Sequence, residues 1–564
     1  MKQLDVFKGD VLIGYLRQHA SSPLEFSYAP EWLAQADAVA LSAELPLRPE
    51  KHEGLAVANY FDNLLPEGGV RQFVAQATQV STDNVFGLME RFGGDTAGAL
   101  SLLPQGQRPS GAPRYMPVTA EAIGKWFQSS HGLPLNLAGN GSRMSLSGAQ
   151  DKMTVLIDAA GAIKIPLGDA PSSHIIKPSM GERSHIPQTA VNEALVMALA
   201  AEVGLGVPAS RYDPTLSAFV IERYDRVRVD GRLQRLHQND LCQTLGVGPG
   251  LKYESEGGPT LAACCAAVME HSSQPAVDKK RLLEWVAYNV GVGNMDSHAK
   301  NLSLLTKDGR TQLAPFYDLV STTVYEHLSR RFAFKIGGEN RPGWIMERHW
   351  DRCAQDLQVK PQLLRQIRQD MQARIMRALP MVADALREQL TDPKALSMVE
   401  RVQAEVRRCT GRLVRELPTP AQVADKRTAE GAPALAALRD KRPYKAALSP
   451  SAPAWSAEQD ERATALPLLR PDASGALLTF CEHAQAAVDA AGDARLVDWR
   501  RVEDAAMQQS IVADRQAPDD VYSAISEASP GCTLKVRRMA LRGRVNAVAT
   551  EARADATPGE DLSL

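Results

Sequence analysis

Two acids and an amide carry the chemistry to which this chain is best suited. In "NMDSHAKNLSLL", residues 294–305, Asp296 and Asn301 stand five positions apart in a polar turn that leads into an apolar stretch. Asp318 follows in "LAPFYDLVS", just after another apolar run. Phosphoryl transfer needs little covalent help but strict positioning. One carboxylate accepts the attacking hydroxyl's proton, while an amide and a second carboxylate hold the metal ions that neutralise the phosphates. A base Asp and a metal-binding Asn five residues apart, with a second Asp on the next strand-turn, form the protein-kinase arrangement. His298 and Lys300, between the pair, are placed to contact phosphate or to hold the loop. An Asp and an Asn at this spacing also suit an ordinary turn, where both bond their own backbone. The trio alone leaves both readings open.

Order along the chain weighs between them. A kinase-type site needs a flexible loop over the phosphates, a strand lysine, a helix glutamate to hold that lysine, and a strand whose exit faces adenine. "SLSGAQDKM" (145–153) is a small-residue loop ending in Lys152, although it is not a Walker A sequence. "HIIKP" places Lys177 on a strand, where a buried ammonium requires a partner. "VNEALVMALA" places Glu193 near a helix start, either as that partner or as a first-turn acid favoured by the helix dipole. "AFVIERY" is a buried strand whose exit, Glu222 to Tyr224, can offer its backbone to adenine; as a surface pair, Glu222 and Arg223 would contribute under about 1 kcal/mol. All of these precede Asp296 in the required order, which favours a kinase-like phosphotransferase.

The elements that must position these residues follow from pattern. At 564 residues, 44% hydrophobic and 23% charged, the chain is a folded protein of more than one core. A net charge of -2 gives no global case for a polyanion partner. The start, "MKQLDVFKGD", has no apolar core of signal-peptide length, no run approaches that of a membrane helix, and the cysteines show no CxxC pairing, so a reducing cytoplasm is expected, with no membrane association and no structural metal. Residues 1–105 read as a small α+β domain, with a hairpin in "QLDVFKGDVLIGYL" and a helix in "VANYFDNLLPEGGVRQFVAQAT" broken at Pro66 and Gly68–Gly69. "GGDTAGALSLLP" is a turn into a strand, and "PQGQRPSGAPRYMP" a connection between domains. From 115 to 416 a second domain begins with the hairpin "KMTVLIDAAGAIKIPLG" and the helix "QTAVNEALVMALAAEVGLGVP", which has an apolar stripe and stops at Gly204. It turns mainly helical after 260. "NDLCQTLGVGPGLKYESEGGP" reads as an ordered loop near a site or a long surface excursion. "WIMERHWDR" suits nucleic-acid contact or the start of a packed amphipathic helix. Residues 417–465, rich in Ala, Pro and charge, predict a disordered linker, and 466–564 a C-terminal appendage with the apolar spacing of a small helical domain and a loose tail.

Taken together, these stretches resemble the HipA family of bacterial toxin–antitoxin serine/threonine kinases. "YAPEWLA", "NYFDNLLPEG" and "GGDTAGALSLLP" look like its N-terminal domain; "SLSGAQDKM", "SHIIKPS", "IERYDR", "DLCQTLG", "KYESEGGP", "MDSHAKN" and "FYDLVS" look like its kinase core. The similarity runs to about residue 416. It implies an α+β fold: a small N-terminal domain, a two-lobed kinase-like core with a mainly helical C-lobe, and here an extra C-terminal region. It implies ATP and Mg²⁺ as cofactors. Asp296 would be the proton acceptor, with Asn301 and Asp318 on the metal. Ser147, Gly148, Ala149, Gln150, Asp151, Lys152 and Lys177 would bind phosphates, and Glu193 would pair with Lys177. Glu222, Arg223 and Tyr224 would hold adenine, while His298, Ala299, Lys300, Asn301, Tyr317 and Asp318 complete the nucleotide site. Ser145 matches the autophosphorylated serine, whose modification expels the loop from the site.

The resemblance further implies an aminoacyl-tRNA synthetase as protein substrate, growth arrest and drug tolerance as the result, and a HipB-like helix-turn-helix antitoxin as partner, contacted partly through the N-terminal domain. Gln355 and Gln358 stand where basic, DNA-facing residues are expected, so DNA would be reached through the antitoxin. Two rivals share the fold: a catalytically idle corepressor that only binds an antitoxin, and a small-molecule kinase. Every chemical position is filled by a competent residue type, which argues against the first; a serine at 145 that can itself be the acceptor argues against the second.

Overall fold

The computed structural model describes residues 1–19, 23–129, 152–180, 184 and 186–414. The expected linker and appendage, and Ser145 to Asp151 of the small-residue loop, lie outside them. The described residues fall within one compact unit, Met1–Val423.

The expected first hairpin forms from β1 (Lys2–Lys8) and β2 (Val11–Gln18), turning at Gly9, whose φ of 59° is left-handed and suits glycine. With β3 (Glu25–Tyr28), β4 (His52–Glu53) and β5 (Leu100–Pro104) they make an antiparallel sheet in the order β4-β3-β2-β1-β5. Helices α1 (Pro30–Leu33), α2 (Leu55–Asp62), α3 (Gly68–Thr78) and α4 (Val85–Phe92) belong to the same region. Phe26, Phe61, Phe86 and Leu102 share its core. The expected helix break is found, but it spans residues 63–67; Gly68 and Gly69 open α3 instead of belonging to the break.

The next lobe is a six-stranded antiparallel sheet. Its elements are β6 (Arg114–Pro117), α5 (Ala120–Ser129), β7 (Met153–Ile157), β8 (Ile163–Leu167), β9 (His174–Pro178), α6 (Thr189–Glu202), β10 (Ser210–Asp213) and β11 (Ala218–Glu222), with strand order β10-β11-β9-β7-β8-β6. "RYMP", read from sequence as connection, is edge strand β6 on β8. After the hairpin of β12 (Arg226–Val229) and β13 (Arg232–Arg235) come β14 (His237–Asp240), α7 (Leu241–Thr244), α8 (Leu261–His271), α9 (Pro275–Val292), β15 (Ser303–Lys307) and β16 (Arg310–Leu313). The chain then continues as α10 (Glu347–Asp356), α11 (Pro361–Arg387) and α12 (Pro393–Thr410).

Helix α6 is buried on nearly every face, not along one stripe, because it lies between the sheet and α11 and α12. That is why its sequence is apolar throughout. In "WIMERHWDR", Trp350 is buried in the helical core as expected of a packed helix, while Trp344 is exposed under Arg341, whose guanidinium carbon is 4.3 Å from the ring centroid. Antiparallel sheets with segregated helices make the chain α+β, with a mainly helical second lobe, as the sequence implies. No helix among the described residues is long and apolar enough to cross a membrane.

Candidate active site

Lys177 lies at the inner end of β9, opposite Phe219 of β11, and is buried. Its Nζ donates to Glu193 Oε1 of α6 at 2.7 Å and also to Asp318. Glu193 is thus the partner of Lys177 and not merely a first-turn acid. The residue beside it, Asn192, bonds both the N–H and C=O of Ser321 (3.0 and 2.9 Å), so α6 fixes the lysine and the turn that carries Asp318 together. Burial works against charge on Lys177, but Asp318 and Glu193 outweigh it and hold its pKa above the ordinary value. Burial likewise opposes ionised Asp318, and Lys177 and Lys152 hold its carboxyl well below the usual range. Lys152 enters β7 next to β9; burial, aided by Lys177 and opposed by Asp318, pulls it down to about 8.

The loop after α9 starts at Gly293, where a Cβ would lie 2.3 Å from Thr323 Oγ1 and φ is 72°, so only glycine fits. Asn294 is the hub of that loop. Its side chain donates to Asn289 Oδ1 (2.7 Å) and to Asp318 O (3.4 Å), and accepts from Asp296 N (3.1 Å). Asp296 is 57% exposed, and its Oδ1 accepts from the Tyr253 hydroxyl at 2.6 Å. The recess raises its pKa, against the lowering pull of that hydrogen bond. His298 is buried; desolvation, with Lys252 and Lys300 nearby, keeps it neutral at pH 7 by lowering its pKa well below 6.5, and its Nδ1 has no hydrogen-bond partner among the described residues. Asn301 Nδ2 lies 3.4 Å from Asp318 Oδ2, while its Oδ1 accepts from His298 N.

One cavity of about 400 Å³ is lined by Lys152, Lys177, Glu193, Glu222, Arg223, Tyr224, Asp296, His298, Lys300, Asn301, Tyr317 and Asp318. Tyr224 and Tyr317 stack at 5.6 Å between centroids. Ala299 is sealed in the core and does not line the cavity. Of the two roles open to Lys300, the structure shows loop-holding: its Nζ donates to Asp240 Oδ2 (2.6 Å), Asn63 Oδ1 (2.7 Å) and Asn63 O (3.2 Å). Arg223 is no surface pair either. Buried with Arg226, it bonds Asp225, Ser172 and Asp95. Its charge joins the N-terminal region to the kinase-like core.

Sequence reasoning missed Asp95, Asn63, Glu67, Asn294 and Tyr253. The first three belong to the N-terminal region, and Asn63 and Glu67 line the cavity from there. An Asp among glycines in "GGDTAGAL" was the available signal for Asp95. Toward a metal, Asp318 and Asn301 carry oxygens of the hard type that Mg²⁺ takes, but it is Asn301 Nδ2 that faces Asp318 Oδ2, while its Oδ1 accepts from His298 N and keeps one further lone pair.

Fold and site together define an α+β protein with a two-lobed, kinase-like core. Residues 4–103 match the HipA N-terminal domain and residues 144–379 the HipA-like C-terminal domain. Over 346 residues the chain is 40% identical to the "Putative kinase Y4mE" of Sinorhizobium fredii, covering 60% of this chain and 81% of that protein. It is 29% identical over 372 residues to the serine/threonine-protein kinase toxin HipA of Shewanella oneidensis, covering 61% and 80% respectively. The solved complex of Shewanella oneidensis HipA with HipB and operator DNA matches with a TM-score of 0.63 at 25% identity, over 72% of this chain and 97% of the solved one. The chain belongs to the HipA family.

Proposed function

We propose that this chain is the ATP- and Mg²⁺-dependent serine/threonine kinase of a toxin–antitoxin module, acting in the cytoplasm. One observation above others supports this: the strand lysine with its helix acid, and Asp296, Asn301 and Asp318, all line one cavity. In the mechanism, Asp296 takes the proton of an acceptor hydroxyl as that oxygen bonds the γ-phosphorus and ADP leaves. Lys177, held by Glu193, and Lys152 grip phosphate oxygens, together with the loop Ser147–Asp151. Neutral His298 and Tyr317 close the cavity floor, and the backbone of Glu222 to Tyr224 receives adenine. Asn301 and Asp318 would hold Mg²⁺, which when bound would supply charge that offsets the phosphates.

Ser145 is the proposed site of self-phosphorylation; about two added negative charges there would repel a phosphate-binding loop from its site. The protein substrate, by the family resemblance, is an aminoacyl-tRNA synthetase, and growth arrest follows from its loss. The HipA complex with HipB and operator DNA supports a HipB-like antitoxin as partner, with DNA reached through it. Residues 1–105 would form part of that contact surface, 115–416 the kinase core, 417–465 a linker and 466–564 an appendage. Incubating the purified chain and a synthetase with labelled ATP and Mg²⁺ tests the reading: label on Ser145 and on the synthetase is expected, and none with Asp296→Ala. ATP binding without transfer by the wild type would replace it with the corepressor.

A further inference from the structure

We infer that Tyr253 is a positioning residue for Asp296, aiming its carboxylate at the acceptor hydroxyl; this rests on the kinase reading above. An aspartate carboxylate rotates over a broad χ2 range, so a base open to a cavity needs a partner that fixes its plane. Among the described residues, the phenol of Tyr253 makes the only side-chain hydrogen bond to the Asp296 carboxylate, 2.6 Å to Oδ1, which leaves Oδ2 to an acceptor.

The tyrosine is itself held from four directions. Its ring meets His298 edge-on, with centroids 5.0 Å apart. Lys252, just before it, donates to Glu67 Oε2 at 2.7 Å and stands 5.5 Å from the Tyr253 ring centroid. Glu254, just after it, accepts from Lys335 N at 2.8 Å. The carbonyl of Tyr253 accepts from Gly258 N at 3.0 Å, and a Cβ at Gly258 would come within 1.9 Å of Leu251 O. The loop is therefore clamped between the N-terminal region and the helical lobe, with the hydroxyl at its apex. Burial and the nearby Asp296 raise the phenol's pKa, so it remains a donor at neutral pH. A loop clamped only for its own stability would not need a hydroxyl at that apex.

The test uses the full-length chain, labelled ATP with Mg²⁺, and self-labelling as readout. Tyr253→Phe keeps the ring on His298 and removes only the donor. The labelling rate is expected to fall about 10- to 100-fold, the scale of a misaimed catalytic group, with ATP affinity unchanged within about twofold. Because a donated hydrogen bond favours the ionised carboxyl, the acid limb of the rate–pH profile should also move upward. Replacing Tyr253 with 3,5-difluorotyrosine, a stronger donor of nearly the same shape, should move that limb downward. A Phe variant that labels at the wild-type rate or faster, with an unmoved acid limb, overturns the inference while the kinase reading stands. A wild-type chain that binds ATP and labels nothing overturns both.

Discussion

Asp318 pairs with Lys177 and faces Asn301 at once, and its backbone shows how. It sits at φ 55°, a conformation that Asp adopts more readily than most residues, and this turns its carboxylate back onto Lys177 and toward Asn301. Asp318→Ala would remove the proposed metal ligand and the charge partner of Lys177 together. Transfer should fall by at least about 10² to 10³, the effect of losing one preorganised charge-stabilising group, measured as initial rate at saturating Mg²⁺; full retained activity would refute its metal role. Lys152 gives a pH signature. Its pKa is pulled down to about 8 by burial beside Lys177, so the free enzyme loses this charge, proposed to bind phosphate, as pH rises through that value. A basic limb near pH 8 is expected in kcat/KM for ATP, which reports the free enzyme, and Lys152→Arg should push it out of range. The spacing of Asp296, Asn301 and Asp318 was legible because it is local. Asn294 and Tyr253 were not, since each gains meaning only from partners that the fold brings in from elsewhere in the chain.

At the scale of elements, the loop that carries Asp296 is held from both inside and outside the kinase-like core. Asp240 caps α7, accepting from Gln243 N at 2.8 Å, and its other oxygen takes Lys300, which also binds Asn63 at the break after α2. One lysine thus ties together the loop, α7 and the N-terminal region. Lys300→Met would strand the Asp240 carboxylate in a buried setting, at a cost of about 3–5 kcal/mol. The urea midpoint should drop with the m-value unchanged; a stable, active Met variant would mean that Lys300 holds nothing essential. Existence and type of the long elements were legible, as with α6 and the two hairpins, because period and turn residues are written locally. What α6 packs against was not. An all-round apolar helix has the same letters whether one layer covers it or two. The charge after β11 was ambiguous for the converse reason: Arg223 reads equally well as a surface partner of Glu222, whereas Asp225 beside it and Asp95 from the N-terminal region offset its burial.

Across the whole molecule, those acids join the halves. Asp95, with no exposed surface, accepts from Arg226 (2.8 Å), Arg235 (3.0 Å) and Arg223 (3.3 Å), and Asp225 Oδ2 accepts from Gly98 N at 2.7 Å in the same N-terminal turn. Such a network need not outweigh an apolar equivalent, but removing one member leaves charges buried and unpaired. Asp95→Asn keeps the shape and leaves the guanidiniums facing a neutral amide, so a loss of about 3–5 kcal/mol is expected at neutral pH. The pH dependence separates this from a packing defect. Burial alone would raise Asp95's pKa, but Arg226, Arg235 and Arg223 hold it well below the ordinary range in the folded chain. A depressed carboxyl contributes fully above its unfolded value of about 3.9 and loses that contribution as pH falls toward the folded value. The stability gap between wild type and Asp95→Asn, from urea titrations at successive pH values, should therefore be widest above about pH 5 and narrow steadily below 4. A gap that stays constant with pH would show that the carboxylate's charge is not what binds the N-terminal region to the kinase-like core.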